Sequence, residues 1–114
     1  MTLEVTESHE GEVLVVSPAG RLDSVTAGGF EATLLKHIGE GANRMVLDFG
    51  KLDYISSAGL RVVLLAGKKL KAAGGKLALC GLNQQIREVF AISGFITIFA
   101  VHPDRAGAAA AIAG

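Results

Sequence analysis

Residues 45–49 read Met-Val-Leu-Asp-Phe, and this run constrains the fold more than any other stretch. It has almost no polar residue, which is the pattern of a strand covered on both faces. A strand of that kind needs helices above and below it, so the chain must supply them. It does so directly. After the loop around Tyr54-Ile55-Ser56-Ser57-Ala58-Gly59, apolar residues recur at Leu60, Val63, Leu64, Gly67 and Leu70, the spacing of a helix. This helix runs from about Ser57 to Ala73, with Arg61, Lys68, Lys69 and Lys71 mostly off its apolar stripe. Gly74-Gly75 stops it.

The same alternation extends along most of the chain. Val5–His9 and Val13–Val16 form two short strands joined by a turn at Glu10-Gly11, and Gly20 breaks the pattern. Asp23 or Ser24 caps a first helix with the apolar face Ala27, Phe30, Leu34 and Ile38, ended by Gly39 and Gly41. Lys76–Cys80 is a fourth strand, Leu82, Ile86, Val89 and Phe90 mark a third helix, and Phe95–Val101 a fifth strand. Asp104 caps a last, Ala-rich helix up to Ala113, weakly specified and prone to fray. The expected architecture is α/β: one domain over residues 1–114, a mixed sheet of about five strands with about four helices packed on it.

Composition narrows function. With 114 residues, half of them hydrophobic, the chain supports one core. Eleven acidic and eleven basic residues cancel, leaving no electrostatic footprint for nucleic acid or an anionic membrane. The mean hydropathy of +0.45 is high, but no run approaches the roughly 20 apolar residues of a membrane helix. The start, Met1-Thr2-Leu3-Glu4, lacks the pattern of a signal peptide. The lone Cys80 excludes an internal disulfide and suits a reducing cytoplasm. One cysteine and three scattered histidines, His9, His37 and His102, give no metal-ligand spacing, and the histidines read as surface residues. No cofactor motif is present.

The chemistry concentrates at Ser56-Ser57. Serine is a favoured N-cap, but the turn after it carries no Asp or Glu and Arg61 is its first charge. An uncompensated helix N-terminus beside a hydroxyl can accept a phosphate through its amides and dipole. Other sites are weaker. A receiver-like role for Asp48 needs an acidic pair after the first long strand, where the chain has Ser17-Pro18, so Asp48 reads as a loop anchor. A hydrolase elbow needs glycine where Ile55 stands. Cys80 reads as a small buried apolar side chain, and the Lys68, Lys69 and Lys71 cluster as the wet face of its helix.

Gly20-Arg21-Leu22-Asp23, then Val46-Leu47-Asp48-Phe49, then Tyr54-Ile55-Ser56-Ser57-Ala58-Gly59-Leu60, in this order, resemble the STAS domain, and more narrowly the bacterial anti-sigma factor antagonists. Gly74-Gly75-Lys76-Leu77-Ala78-Leu79-Cys80 and Ile92-Ser93-Gly94-Phe95 extend the resemblance over about Leu3–Ile112. It implies a non-enzymatic protein that binds an anti-sigma serine kinase, is phosphorylated by it, and is reset by a PP2C-type phosphatase. The acceptor implied is Ser57, two residues before Gly59, with Ser56 as the alternative. Ser56 and Ala58 replace the Asp and the Ser or Thr usual around that acceptor. The implied partner-binding residues are Asp23, Ser56, Ser57, Ala58, Gly59 and Arg61, in a cytoplasmic protein. A STAS-type scaffold or regulatory subunit in another signalling or lipid-transport complex is the second reading, and a serine-dependent enzyme the third.

Overall fold

The computed structural model describes residues 3–113. Its elements run β1 (Glu4–Glu10), β2 (Val13–Leu22), α1 (Ala27–Gly39), β3 (Arg44–Asp48), β4 (Leu52–Ile55), α2 (Ser57–Ala72), β5 (Lys76–Cys80), α3 (Gln84–Ile92), a 3-10 turn (Phe95–Thr97), β6 (Ala100–His102) and α4 (Arg105–Ile112). The strands form one mixed sheet in the order β1-β2-β3-β5-β6, with β4 attached to the far end of β2. Among the described strands, β1–β2 is antiparallel and the pairs β2–β3, β2–β4, β3–β5 and β5–β6 are parallel.

Strand side chains alternate between faces, and the core divides accordingly. Leu14, Val16, Met45, Leu47 and Leu79 join one cluster with Phe30 and Leu34 of α1, Val63 and Leu70 of α2, and Ile86 and Phe90 of α3. Val13, Val15, Val46, Ala78 and Cys80 point the other way, under Ala108, Ala109 and Ile112 of α4. The sheet is thus covered by three helices on one face and one on the other. This is why Val13–Val16 and Met45–Leu47 are buried along their whole lengths.

Three local expectations change. Gly20 does not end the second strand. It takes φ +113 at a register shift, after which β2 leaves β3 and pairs with β4 through Arg21↔Tyr54 and Leu22↔Ile55. Glycine tolerates that positive φ, and the bend it allows re-aims the strand. That switch creates β4, a strand the helical and apolar patterns did not reveal. Residues 95–101 are not one strand. Gly94, at φ +82, turns the chain into the 3-10 segment, which lets Phe99 drop into the core and leaves only Ala100–His102 to pair with β5. Helix α1 begins later than Asp23 or Ser24 would set it. Thr26 occupies the cap position without a side-chain bond to the helix, and Asp23 instead closes the preceding turn.

A candidate switch site at the start of helix α2

The site lies where β2 and β4 end and α2 begins. The Ser56 amide donates to the Leu22 carbonyl at 2.9 Å, which continues the β2–β4 pairing by one residue and brings the two strand ends together. Ser56 then caps α2: its Oγ accepts from the Gly59 amide at 3.3 Å, and its carbonyl from the Leu60 amide at 2.9 Å. A side chain at Gly59 is excluded. Its Cβ would meet Leu22 Cγ at 2.7 Å, Ile55 Cγ1 at 2.9 Å and the Leu22 carbonyl oxygen at 3.0 Å. The helix therefore sits directly on the strand ends because residue 59 is glycine.

Ser57 is the first residue of α2 and is exposed, and its hydroxyl makes no hydrogen bond among the described residues. The Ser57 and Ala58 amides fall among the first N–H groups of the helix, which have no partner within it. The first turn contains no acid, whereas Lys69 and Lys71 complement the dipole in the last. Arg61 is exposed four residues after Ser57, a spacing that puts both on one side of the helix. Ala58 is half-buried behind them.

Asp23 reaches the same end of the molecule, one residue beyond the Leu22↔Ile55 pair. Its Oδ1 accepts from the Val25 amide at 3.0 Å and the Thr26 amide at 3.2 Å. The Thr26 hydroxyl donates to the Arg21 carbonyl at 2.8 Å and lies 3.3 Å from the same carboxylate oxygen. The Thr26 amide above all holds the Asp23 carboxyl below its ordinary pKa; partial burial opposes this, and Val25, the Thr26 hydroxyl and Arg21 add to it. Arg21 lies with Cζ 4.2 Å from the Tyr54 ring centroid and Nε 3.7 Å from Asp23 Oδ2. This latch between Arg21, Tyr54 and Asp23 was absent from the sequence reading. Arg21 and Asp23 lie in one sequence motif and Tyr54 in another, and the strand pairing joins them.

A second polar cluster lies at the end of β3. The Arg105 guanidinium, at the start of α4, donates to Asp48 Oδ2 at 2.9 and 3.1 Å, to Ser17 Oγ at 3.0 Å and to Ser8 Oγ at 3.0 Å. Asp48 Oδ1 accepts from the Gly50 amide at 2.9 Å. Burial pushes the Asp48 carboxyl up, but the Gly50 amide and Arg105 outweigh it and leave the pKa below its ordinary value. Asp48 is thus an anchor for a loop and a helix. His37, read as a surface residue, is half-buried, with Nε2 2.8 Å from Glu7 Oε2.

Among the described residues, no side-chain base bonds to Ser56 or Ser57. Nor, among those residues, does any group of three or more His, Cys, Asp or Glu converge on a metal position. No described helix is long and apolar enough to cross a membrane.

The STAS domain model matches residues 3–108 of this sequence. The chain belongs to the STAS domain family. Over 109 residues it is 50% identical to a protein of Bordetella bronchiseptica named "Putative anti-sigma factor antagonist BtrV", covering 96% of this STAS chain and 94% of that protein. Its fold superimposes on an anti-sigma factor antagonist from Mycobacterium paratuberculosis with TM-score 0.90 at 21% identity, covering 98% and 95% of the two chains. It also matches the Bacillus cell fate determinant SpoIIAA in its phosphorylated form, with TM-score 0.70 at 23% identity over 89% and 93%. This STAS domain therefore shares its six-stranded sheet and four helices with solved anti-sigma factor antagonists.

Proposed function

We propose that this STAS domain is an anti-sigma factor antagonist that docks on an anti-sigma serine kinase and is switched off by phosphorylation of Ser57. The observation that carries this reading is the division of labour between adjacent serines. Ser56 is committed to the cap, with its hydroxyl bonded to Gly59, while Ser57 presents a free hydroxyl on the surface. The names of the similar proteins support the same role.

A phosphate on Ser57 adds roughly −1.5 to −2 charge and three acceptor oxygens. The acid-free first turn of α2, its unpaired amides and Arg61 suit that charge, so the fold need not rearrange. Docking is affected instead. A surface fitted to a neutral hydroxyl would have to desolvate a dianion, and about 1.4 kcal/mol of such cost gives a tenfold loss of affinity. In this reading Asp23, Ser56, Ala58 and Arg61 form the docking surface around Ser57, and the buried Gly59 seats α2 on the strand ends beneath it. A PP2C-type phosphatase would restore the hydroxyl, and the protein itself performs no catalysis.

The test is phosphorylation in an extract of the native host with ATP, read by intact mass and peptide mapping of residues 52–68. One phosphate on Ser57, lost in Ser57→Ala, supports the switch. A phosphate confined to Ser56 overturns the assignment of the acceptor. No phosphate, beside a working positive control, refutes the switch and favours a scaffold role. Kinase capture then separates the states: Ser57→Ala retains binding and Ser57→Asp loses it.

A further inference from the structure

Helices α1 and α2 start from the same end of the sheet. Strands β2 and β4 finish as a parallel pair at Leu22↔Ile55, and each leads into its helix there. Ala27, Phe30 and Leu34 of α1 share one core cluster with Leu60 and Val63 of α2. The turn between β2 and α1 therefore lies at the Ser57 end of the molecule. It carries Val25, which is 81% exposed. The turn is closed without the valine side chain: Asp23 Oδ1 accepts from the Val25 and Thr26 amides, and the Thr26 hydroxyl donates to the Arg21 carbonyl. Turns of this kind favour Gly, Pro, Asn, Asp and Ser, so neither the turn nor the core calls for a valine. Two glycines follow, Gly28 and Gly29, exposed in the first turn of α1. Glycine is the poorest helix former after proline. Neither takes a positive φ, and a Cβ on either would meet nothing within 4 Å. Gly59 and Gly75, by contrast, have no room for one. The chain's own fold does not require glycine at 28 or 29, and such a residue suits a place where another molecule comes close to the backbone.

We propose that Val25 and the Gly28-Gly29 surface form a second docking element for the anti-sigma serine kinase. Val25 enters an apolar recess of the kinase while a kinase segment lies flat on the two glycines. The inference rests on the reading of Ser57 as the acceptor and adds residues which that reading does not use. Continuity selects the occupant: a protein that closes over the Ser57 hydroxyl meets this turn in the same approach. The bonded turn holds Val25 in place, and branching at Cβ restricts its χ1, so little freedom is lost on docking. The element has no group that titrates or accepts phosphate at Val25, Gly28 or Gly29. It supplies affinity and orientation, whereas the phosphate on Ser57 decides whether docking occurs.

The test uses the native-host kinase captured by the Ser57→Ala chain and identified by its ATP-dependent phosphorylation of the parent. Calorimetry reads affinity and initial rates read phosphorylation. Val25→Ser should weaken binding by about tenfold or more, and raise KM for phosphorylation with kcat little changed. Gly28→Gln with Gly29→Gln should raise the melting temperature, because glutamine is the better helix former, and still weaken binding by about tenfold. Ile98→Ser removes another exposed aliphatic side chain, beside Lys71 and Gly75 at the far end of α2, and should leave affinity unchanged. Circular dichroism melts establish that the variants are folded. Equal kinase binding by the parent and by folded Val25→Ser overturns the inference and leaves the Ser57 reading standing. A glutamine pair that binds as well as the parent overturns the glycine contact. A parent that binds no kinase overturns both readings. Parent dimers that Val25→Ser dissolves in sedimentation, with kinase binding unchanged, overturn the inference in favour of a contact between copies.

Discussion

Replacing the two serines one at a time separates structural capping from switching. In Ser56→Ala the Gly59 amide loses its side-chain acceptor at the start of α2. Loss of a serine N-cap costs about 0.5–2 kcal/mol. The bond here is 3.3 Å, at the long end for hydrogen bonding, so the expected loss is about 1 kcal/mol. For a domain of this size that lowers Tm by roughly 3–5 °C. Ser57→Ala removes a hydroxyl that bonds nothing among the described residues, at a position where alanine is the better helix former. Its stability should stay within about 0.5 kcal/mol of the parent. Ser57→Asp should be slightly more stable than the parent, by about 0.3–1 kcal/mol, because it places an acid in an acid-free first turn and four residues before Arg61. Urea denaturation followed by circular dichroism reads all three. The combination matters: Ser57→Asp would lose kinase binding while gaining stability, so misfolding could not explain the lost binding. A Ser57→Ala destabilised as much as Ser56→Ala would refute the reasoning, since it would put a structural bond on the wrong hydroxyl.

Three further outcomes follow from the packing and the charges. Gly59→Ala should destabilise by about 1–3 kcal/mol in urea melts, because its Cβ meets Leu22 and Ile55 within 3 Å and helix propensity returns at most about 1 kcal/mol. Asp48 has a depressed pKa when folded, so it stabilises the protein above its unfolded pKa of about 3.9 and ceases to do so as pH falls through the lower folded value. Asp48→Asn should therefore be less stable at pH 7 and lose less stability on acidification below about pH 4, as read by chemical denaturation across pH. Burial, with the Asp48 charge next in importance, pushes the Cys80 thiol up to about 12. It should resist a thiol reagent at pH 8 in the native protein and react promptly in urea, timed by absorbance of the released chromophore.

How much of this was legible in the sequence depends on the range of the interaction. The apolar run of β3 and the stripe of α2 are local patterns, and both elements lie close to where the periodicity put them. The cap at Asp104 is also local, since it bonds an amide three residues on. β4 escaped notice because Leu52–Ile55 is short and becomes a strand through its pairing with residues more than thirty positions earlier. Phe95–Phe99 carries β-formers, but it forms a turn that buries Phe99 and leaves Ile98 exposed, and an apolar run cannot distinguish a turn from a strand. At the site, the serines, Gly59 and Arg61 were readable from one stretch. Which serine is the cap was not, because that depends on where the Leu22 carbonyl meets the chain.

The single helix on the back of the sheet carries a consequence for handling and for turnover in a cell. α4 covers Val13, Val15, Val46 and Ala78 with little more than Ala108, Ala109 and Ile112, and the Arg105 clasp fixes its first turn. A protease cut in the exposed Pro103-Asp104 segment would free both cover and clasp at once. The uncovered strip is valine-rich and already extended, the kind of surface that recruits other chains. Clipping or C-terminal truncation would thus expose a seed for aggregation, and fusion tags are safer when they leave the helix docked.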